Sequence, residues 1–312
     1  MNNQKKQELQ RLLWMANAQG FYPDKSAVEL EAGYQRWLMH RQQYTALYQN
    51  FKRENFHCNQ ICPKSNNLVG TIVYTFHYGP YFLSPRYLLA SGYQVTLLVS
   101  ATVLQKEREK YAMVVAQMGL PAECLECLDA NDRMVLRKML HAVRRGRVLL
   151  VFLDANESVG KGLEKNQDSQ LRVAFGQSYF YWRSNLLKLA LRFAIPVNAI
   201  HLSPQRGNAG QTWSLAGPMA ILTANDIDKP LALLNAFAKL QQVFQSMMAQ
   251  DWTGWENWGL IHHYREFDKR KSLDDSALGS WMAPFSFADK GYLFDFSTKL
   301  FYEIVAKKDN LF

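Results

Sequence analysis

The sequence predicts an α/β fold with a mainly parallel central sheet flanked by helices. Four short runs rich in Val, Ile, Leu and Tyr are typical of buried strands: residues 67–74, 93–100, 147–153 and 195–201. Helical patterns separate or follow them: residues 80–91, 104–119, 132–145 and 183–194. Strands that alternate with helices favour a parallel sheet, because each crossover needs a helix-length connection.

The ends of the chain are predicted to be helical additions to this core. Residues 5–54 show helical spacing with an interruption at 20–24, and a further strand at 211–215 precedes a long helix at 227–249. No repeat or flexible linker divides the chain. We therefore expect one domain over residues 1–312, made of the following parts: a helical N-terminal extension (1–66), an α/β core (67–267) and a C-terminal extension (268–312).

Composition limits the function classes. The chain has 312 residues, of which 48% are hydrophobic, so a disordered protein is excluded. Its 36 Lys and Arg against 27 Asp and Glu give a net charge of +9, which favours an anionic partner. No apolar run reaches the roughly 18 residues of a spanning helix, and the first residues do not form a signal peptide. We expect a cytoplasmic protein that can be peripheral to a membrane.

The four cysteines raise the question of a metal site. Cys58 and Cys62, with Cys124 and Cys127, have spacings that permit a four-thiolate zinc site. Zinc-binding pairs usually lie on tight turns that contain glycine, and no glycine flanks the CLEC segment. We predict unpaired, partly buried thiols and no metal site.

The first candidate for chemistry is His77, in TFHYGPYF. It follows the first predicted strand, and ligands of parallel sheets gather beyond the carboxyl ends of strands. A histidine there can take a proton from a hydroxyl or amine that attacks an acyl carbonyl. The alternative is a structural histidine that stabilises a turn.

The second candidate is the polar segment after the strand in VLLVFLDANESVGKG. It contains Asp154, Asn156, Glu157 and Lys161. Carboxylates at a strand end can orient a histidine or bind a substrate hydroxyl or amine. The alternative is turn or cap chemistry, which Asp and Asn favour. The Gly-Lys-Gly is not a phosphate-binding P-loop, because the spaced first glycine and the Ser or Thr are missing.

The third candidate is the pair Arg183 and Asn185, at the predicted start of a helix. A cation in the first turn is unfavourable for the helix dipole, so Arg183 indicates a phosphate or carboxylate partner. A stacked or ion-paired surface arginine is the alternative.

A fourth feature is the basic segment RMVLRKMLHAVRRGR, residues 133–147. It holds six Arg or Lys residues and no acid, interleaved with apolar residues. Such a helix can lie on anionic lipid or bind an acidic carrier protein. The alternative is a solvated charged face.

The order of these blocks resembles the lysophospholipid acyltransferase superfamily, and within it the bacterial lipid A late acyltransferases. Four blocks carry the resemblance: TFHYGPYF, VFLDAN, VAFGQSYFYWRSNLLKLALRFAIPV and the W-x-x-x-x-H of WENWGLIHHYRE. They span roughly residues 68–267. The resemblance implies an acyltransferase fold with His77 as catalytic base.

The sequence departs from the family at one position. The family pairs its histidine with an Asp or Glu five residues later, and Phe82 stands there. Asp154 or Glu157 would have to replace that acid, or the protein has lost acyl transfer. The family's common N-terminal membrane anchor is also absent from the sequence. A distant branch that the chain resembles transfers glycine to lipid A, and carboxylates at Asp154 and Glu157 would suit its ammonium group.

The resemblance implies transfer of an acyl or aminoacyl group, such as glycyl, from a carrier-protein thioester to a hydroxyl of lipid A or a related phosphoglycolipid. It also implies that the protein acts on the cytoplasmic side as a peripheral protein of the inner membrane. The donor's phosphopantetheine arm belongs to the carrier protein, so no cofactor is expected. His77, Asp154 and Glu157 would be catalytic, while Arg183, Asn156, Lys161 and Asn185 would bind substrate. Two other classes stay open: a non-catalytic module that binds a carrier protein or membrane, and a nucleic-acid-binding protein. We expect no nucleic acid, because no recognition motif accompanies the charge.

Overall fold

The computed structural model describes residues 3–49, 68–154, 170–207, 210–226, 231–261, 282–287, 290–296 and 300–304. Seven α-helices are described: α1 Asn3–Gln19, α2 Ala27–Gln49, α3 Ser84–Ala90, α4 Ala101–Gln117, α5 Val135–Arg144, α6 Asn185–Arg192 and α7 Ala232–Asp251. Eleven strands are described: β1 Ile72–Thr75, β2 Val95–Val99, β3 Leu125–Asp129, β4 Val148–Phe152, β5 Gln170–Phe175, β6 Ser178–Arg183, β7 Val197–Gly207, β8 Gly210–Leu222, β9 Met282–Phe287, β10 Lys290–Asp295 and β11 Phe301–Glu303.

A six-stranded sheet in the order β3-β2-β4-β1-β7-β8 confirms the α/β prediction. The pairings from β3 through to β7 are parallel, and only β8 joins antiparallel, as the partner of β7. The two central strands β1 and β4 are runs of apolar residues because both of their faces are covered. This burial is why the strand predictions succeeded for the middle of the sheet.

Helix starts follow local sequence rules. Ser26 and Glu29 form a capping box ahead of α2, in which each side chain bonds to the backbone N–H of the other residue. At α4, the Ser100 hydroxyl accepts a hydrogen bond from the N–H of Val103. Both motifs satisfy donors that the first helical turn would leave unpaired.

The prediction of a helical C-terminal addition is wrong for the described residues. Strands β9, β10 and β11 form an antiparallel sheet in the order β11-β10-β9. Closely spaced Phe and Tyr residues in these segments favour strands over helices. Pro284 is tolerated because β9 is an edge strand of this sheet.

Two further strand regions were not predicted. Strand β3 contains Glu126 and Asp129 among its apolar residues, which an edge strand accepts. Strands β5 and β6 form a hairpin over residues expected to lead directly into a helix. Its turn requires Gly176, which has φ +55°, and a Cβ there would lie 2.2 Å from the carbonyl oxygen of Phe21.

The chain divides into two compact units. One contains Met1–Leu38, Arg172–Tyr181 and Asn257–Phe312, and the other contains Met39–Leu171 and Trp182–Glu256. The first unit has an aromatic core in which the Asn17 amide donates a 2.7 Å hydrogen bond to the carbonyl of Trp258. The second unit holds the six-stranded sheet. A single domain over residues 1–312 stays a prediction.

The cysteines that are described are partly buried thiols. Cys124 and Cys127 are unpaired, and burial raises the pKa of Cys127 to about 11, so this thiol is protonated at neutral pH. Cys58 and Cys62 lie outside the described residues. Across the described part of the chain, no three His, Cys, Asp or Glu side chains are grouped as metal ligands would be.

None of the described helices is long and apolar enough to cross a membrane.

His201 should make the fold sensitive to acid. It lies buried on β7, and burial lowers its pKa to about 4. In the unfolded chain this histidine has an ordinary pKa near 6.5. Between that pH and about pH 4 the unfolded chain therefore binds a proton that the folded chain does not bind. This contribution to stability is complete above pH 6.5 and is lost as pH falls towards 4. We expect the free energy of unfolding to drop by roughly 2–3 kcal/mol between pH 7 and pH 4.5 through this residue.

Urea titrations at both pH values test the expectation. His201→Leu should lose less stability on acidification than the wild type. The control is His141→Leu at an exposed position of α5, which should lose as much as the wild type. An equal loss in all three proteins would contradict the assignment.

Candidate active site

His77 and Asp154 follow two neighbouring strands at matching positions. Strands β1 and β4 pair in parallel, with Thr75 opposite Phe152. The polypeptide continues for two more residues beyond each strand. This brings His77 and Asp154 to the same end of the sheet, where the carboxyl ends of the strands lie. The N–H of Leu153 still donates to the carbonyl of Thr75, so the pairing extends to the residue before the acid. This edge is where α/β proteins usually bind ligands.

The two side chains form a hydrogen-bonded pair. Nδ1 of His77 lies 2.9 Å from Oδ1 of Asp154, and the backbone N–H of His77 also donates to this carboxylate at 3.0 Å. Asp154 is only 2% exposed. Its Oδ2 accepts a 2.7 Å hydrogen bond from the indole N–H of Trp255. Three donor groups therefore surround a buried acid, as an ionised carboxylate requires.

This arrangement fixes the tautomer of the imidazole. An ionised carboxylate can only accept hydrogen bonds, so the neutral ring carries its proton on Nδ1 and has a lone pair on Nε2. The rings of Tyr81 and Phe152 lie 4.7 and 4.6 Å from the imidazole centroid and limit its rotation. The His77 side chain is 20% exposed. A histidine and a carboxylate in this geometry can act as an oriented general base.

A second segment, residues 252–256, is bonded to the loop that carries His77. Glu256 donates its backbone N–H to the carbonyl of His77 at 2.8 Å, and Gly79 donates to the carbonyl of Gly254 at 2.9 Å. Gly254 permits the close approach, because a Cβ there would lie 3.0 Å from the ring of Tyr78. These bonds hold the indole of Trp255 beside Asp154.

Charges next to the imidazole come from Glu256 and Arg41. Oε1 of Glu256 lies 2.9 Å from Nε of Arg41, on α2. Burial raises the pKa of the Glu256 carboxyl, and the nearby Arg41 and His77 oppose that rise. Burial, Glu256 and Asp154 together raise the pKa of the Tyr81 hydroxyl. Protonation of one of these groups therefore affects its neighbours.

Phe82 stands where the family has the acid that pairs with its histidine. In this protein the acid that contacts His77 is Asp154, which follows strand β4. The ring of Phe82 contacts Tyr48 and Tyr81 edge-on, at 5.0 and 6.0 Å. The carboxylate paired with His77 is that of Asp154, one of the two replacements expected from the sequence. Glu157 lies outside the described residues.

The residues predicted to bind substrate have mixed outcomes. Asn156 and Lys161 lie outside the described residues. Asn185 is the first residue of α6 and is exposed. Arg183 is also exposed, but it ends strand β6 and lies two residues before that helix. Its predicted place in the first helical turn is therefore wrong, because the aromatic residues before it form a strand.

Sequence reasoning missed Trp255, Glu256 and Arg41. The first two belong to the WENWG segment, which was noted only for the W-x-x-x-x-H signature. The tryptophan of that signature, Trp258, is a buried core residue of the other unit, and its His263 lies outside the described residues. No sequence feature pointed to Arg41, because an arginine on an amphipathic helix is common.

Most cations of the basic segment at 133–147 are exposed, and its binding of lipid or carrier protein stays a prediction. Five cations are exposed on or next to α5: Arg133, Arg137, Lys138, Arg144 and Arg145. Met134 and Leu136 are also exposed, at 47% and 46%. Arg147 does not belong to this surface. It is buried and donates to Thr96 and to the carbonyls of Val95 and Glu123.

A scan against protein-family models finds no match, and no curated protein is significantly similar to this chain. The resemblance to lysophospholipid acyltransferases therefore stays a prediction.

Trp255→Phe should destabilise the protein by removing one donor from a buried carboxylate. Loss of a hydrogen bond to a charged group is expected to lower the free energy of unfolding by about 1.5–3 kcal/mol. Urea denaturation measures the change. Trp182→Phe, at another buried tryptophan of the same unit, controls for the smaller ring. An unchanged midpoint for Trp255→Phe would show that its hydrogen bond to Asp154 does not support the site.

Proposed function

We propose that the protein is an acyltransferase in which His77, oriented by Asp154, acts as the general base. The observation that supports this most strongly is the 2.9 Å contact between Nδ1 of His77 and the buried Asp154 carboxylate. The pair lies at the carboxyl ends of two parallel strands, where α/β proteins usually bind ligands. The order of sequence blocks that resembles lysophospholipid acyltransferases supports the same class of reaction.

In the proposed reaction, Nε2 of His77 takes the proton of the acceptor hydroxyl as its oxygen attacks a thioester carbonyl. A carbon–oxygen bond forms, and the carbon–sulfur bond then breaks. The imidazolium returns its proton to the departing thiolate, so the enzyme ends unchanged. Asp154 stabilises the imidazolium while it exists. No acyl-enzyme is needed, and Ser178 and Ser184 lack the G-x-S-x-G setting of a nucleophile.

The proposed donor is a thioester on the phosphopantetheine arm of an acyl carrier protein. The exposed surface at α5 combines cations with Met134 and Leu136, which suits an acidic protein with an apolar contact. The transferred group is an acyl or aminoacyl group, glycyl included. Asp154 bonds to His77 and Trp255, so it serves to orient the base rather than to bind an ammonium group.

The proposed acceptor is a hydroxyl of lipid A or a related anionic phosphoglycolipid, met at the inner surface of the membrane. The fold proposed is lysophospholipid-acyltransferase-like. Arg183 and Asn185 are exposed and suited to polar contacts with such a lipid, and Asn156, Lys161 and Glu157 keep the roles predicted from the sequence.

The second candidate is a non-catalytic module that binds a carrier protein or membrane through the α5 surface. The exposed cations favour it, and so does Phe82 in place of the family's acid. The oriented imidazole favours catalysis, because a binding module has no need of one.

Removing the base should abolish acyl transfer. We expect His77→Ala to lower the transfer rate by roughly 10²–10⁴-fold, which is the usual contribution of general acid–base catalysis. Asp154→Asn should lose a similar factor, because the amide can hold the wrong tautomer. The measurement is mass spectrometry of the lipid acceptor after incubation with a loaded carrier protein.

Asp129→Asn provides the matched control, because Asp129 is the last residue of β3 and lies, like Asp154, at the carboxyl end of a strand of this sheet. It should transfer at the wild-type rate. Circular dichroism checks that the His77→Ala protein is folded. If the folded variant still transfers the group, the proposed mechanism is refuted.

Charge reversal on α5 should weaken donor binding without slowing chemistry. Arg137→Glu combined with Arg144→Glu is expected to raise KM for the loaded carrier protein by roughly tenfold, with kcat unchanged. The effect should shrink at high salt, because exposed charges are screened. Arg36→Glu, at an exposed position of α2, is the control. An unchanged KM for the double variant would exclude α5 as the carrier-binding surface.

A further inference from the structure

A buried polar network lies at the end of α7, a few residues before Trp255. Nε2 of His40, on α2, lies 2.8 Å from Oδ2 of Asp251, the last residue of α7. Oδ1 of Asp251 accepts hydrogen bonds from the backbone N–H and the hydroxyl of Thr253, at 3.0 and 2.6 Å. The Asp251 carboxylate therefore joins helix α2 to the start of the segment 252–256.

This network determines the direction in which the chain leaves α7. The backbone of Asp251 is extended, with φ −156°, and its side chain caps the short 3-10 helix Trp252–Gly254. An Asp side chain that bonds to the backbone two residues further on stabilises such a turn. The next residue is Trp255, whose indole N–H donates to Asp154. The cap at Asp251 is therefore the last fixed point of α7 before the donor that the candidate site needs.

Stability of the fold is a weak explanation for this network. A carboxylate at the C-terminal end of a helix is unfavourable for the helix dipole. The side chains are largely buried, with exposures of 6% for His40 and 24% for Asp251, and burial of a charged group with its partner gives little net stabilisation. Burial alone would raise the pKa of Asp251, but hydrogen bonds from His40 and Thr253 hold it below its ordinary value. The network thus keeps an ionised acceptor at the point where the chain turns.

His40 is not arranged as a second general base. Its Nε2 is occupied by Asp251, because an ionised carboxylate only accepts hydrogen bonds and the ring nitrogen must donate. The ring also stacks on that of Tyr44, with the centroids 5.6 Å apart and the planes within 5° of each other. A side chain so enclosed cannot meet a substrate, so any effect of His40 on the candidate site passes through other residues.

We infer that three residues, His40, Asp251 and Thr253, are positioning residues of the candidate site. Together they fix the segment 252–256, so that its tryptophan indole reaches Asp154. The effect on catalysis rests on the proposed function, because it requires the histidine that Asp154 orients to act as the base. The effect on the segment does not rest on it.

The indole N–H of Trp255 reports on the segment without any acyl transfer. Its signal in proton–nitrogen correlation spectra of the full-length protein is the one that Trp255→Phe removes. We expect His40→Leu to move this signal towards the position of an indole without a hydrogen bond, because Asp251 loses a donor and the segment is released. Thr253→Val, which removes only the hydroxyl, should move it in the same direction by less.

A conservative substitution separates the lost hydrogen bond from a change of shape. His40→Gln keeps an N–H donor on its side-chain amide, which can replace the imidazole as partner of Asp251. The Trp255 signal should therefore return towards its wild-type position. A signal as displaced in His40→Gln as in His40→Leu would show that the hydrogen bond is not what holds the segment.

The transfer assay with a loaded carrier protein provides the kinetic test. His40→Leu should lower kcat by on the order of tenfold or more, because small displacements of positioned groups are costly to the rate. KM should stay at the wild-type value, since the change leaves the exposed α5 surface untouched. His40→Gln should recover part of the lost kcat.

Val243→Ala is the matched control for a general loss of stability. Val243 is also buried on α7, two turns before the cap. It should lower the urea midpoint but leave the Trp255 signal and kcat unchanged. An equal displacement in Val243→Ala, or an unmoved signal in His40→Leu, would overturn the inference. If circular dichroism shows that His40→Leu does not fold, an unmoved signal in Thr253→Val overturns it instead.

The two readouts distinguish failure of this inference from failure of the proposed function. A displaced Trp255 signal in His40→Leu, in a protein whose wild type transfers no acyl group, would leave the positioning role standing and remove the acyltransferase. Acyl transfer by the wild type, with signal and kcat both unchanged in His40→Leu, would leave the acyltransferase standing and remove the positioning role.

Discussion

The candidate site depends on one buried carboxylate. Asp154 is held almost entirely away from water, where an ionised acid is stable only if donors surround it. The backbone and ring of His77 and the indole of Trp255 provide those donors. The same contacts that satisfy the acid also fix the imidazole and the loop after β1. The contacts that stabilise the Asp154 carboxylate therefore also orient the His77 imidazole.

Much of the sheet could be predicted, because burial on two faces leaves a clear pattern. Strands β1, β2 and β4 are mostly apolar or β-branched runs. Strand β3 lies at an edge and contains acids, so its pattern was too weak to recognise. The β5–β6 hairpin depends on Gly176 fitting against the backbone of Phe21, which is a tertiary contact that local sequence does not encode.

The same difference between local sequence patterns and tertiary contacts explains which residues of the candidate site could be predicted. His77 and Asp154 were predictable because each directly follows a recognisable strand, and parallel strands bring their ends together. The sequence left open whether Asp154 or Glu157 replaced the missing acid at Phe82, because spacing alone does not show which carboxylate points at the ring. Trp255 and Arg41 come from a turn and a helix far away in the chain. Their contribution follows from tertiary contacts, and no local pattern indicated it.

The indole N–H that completes the donor shell of Asp154 is 101 residues further along the chain. During synthesis, β1 and β4 can leave the ribosome and pair while this donor does not yet exist. The Asp154 carboxylate then lacks this donor until Trp255 has emerged and the intervening strands and helices have brought it into contact. A nascent chain that has already formed its central strands therefore still lacks one donor to Asp154, and this set of hydrogen bonds can be completed only after residue 255 has left the ribosome.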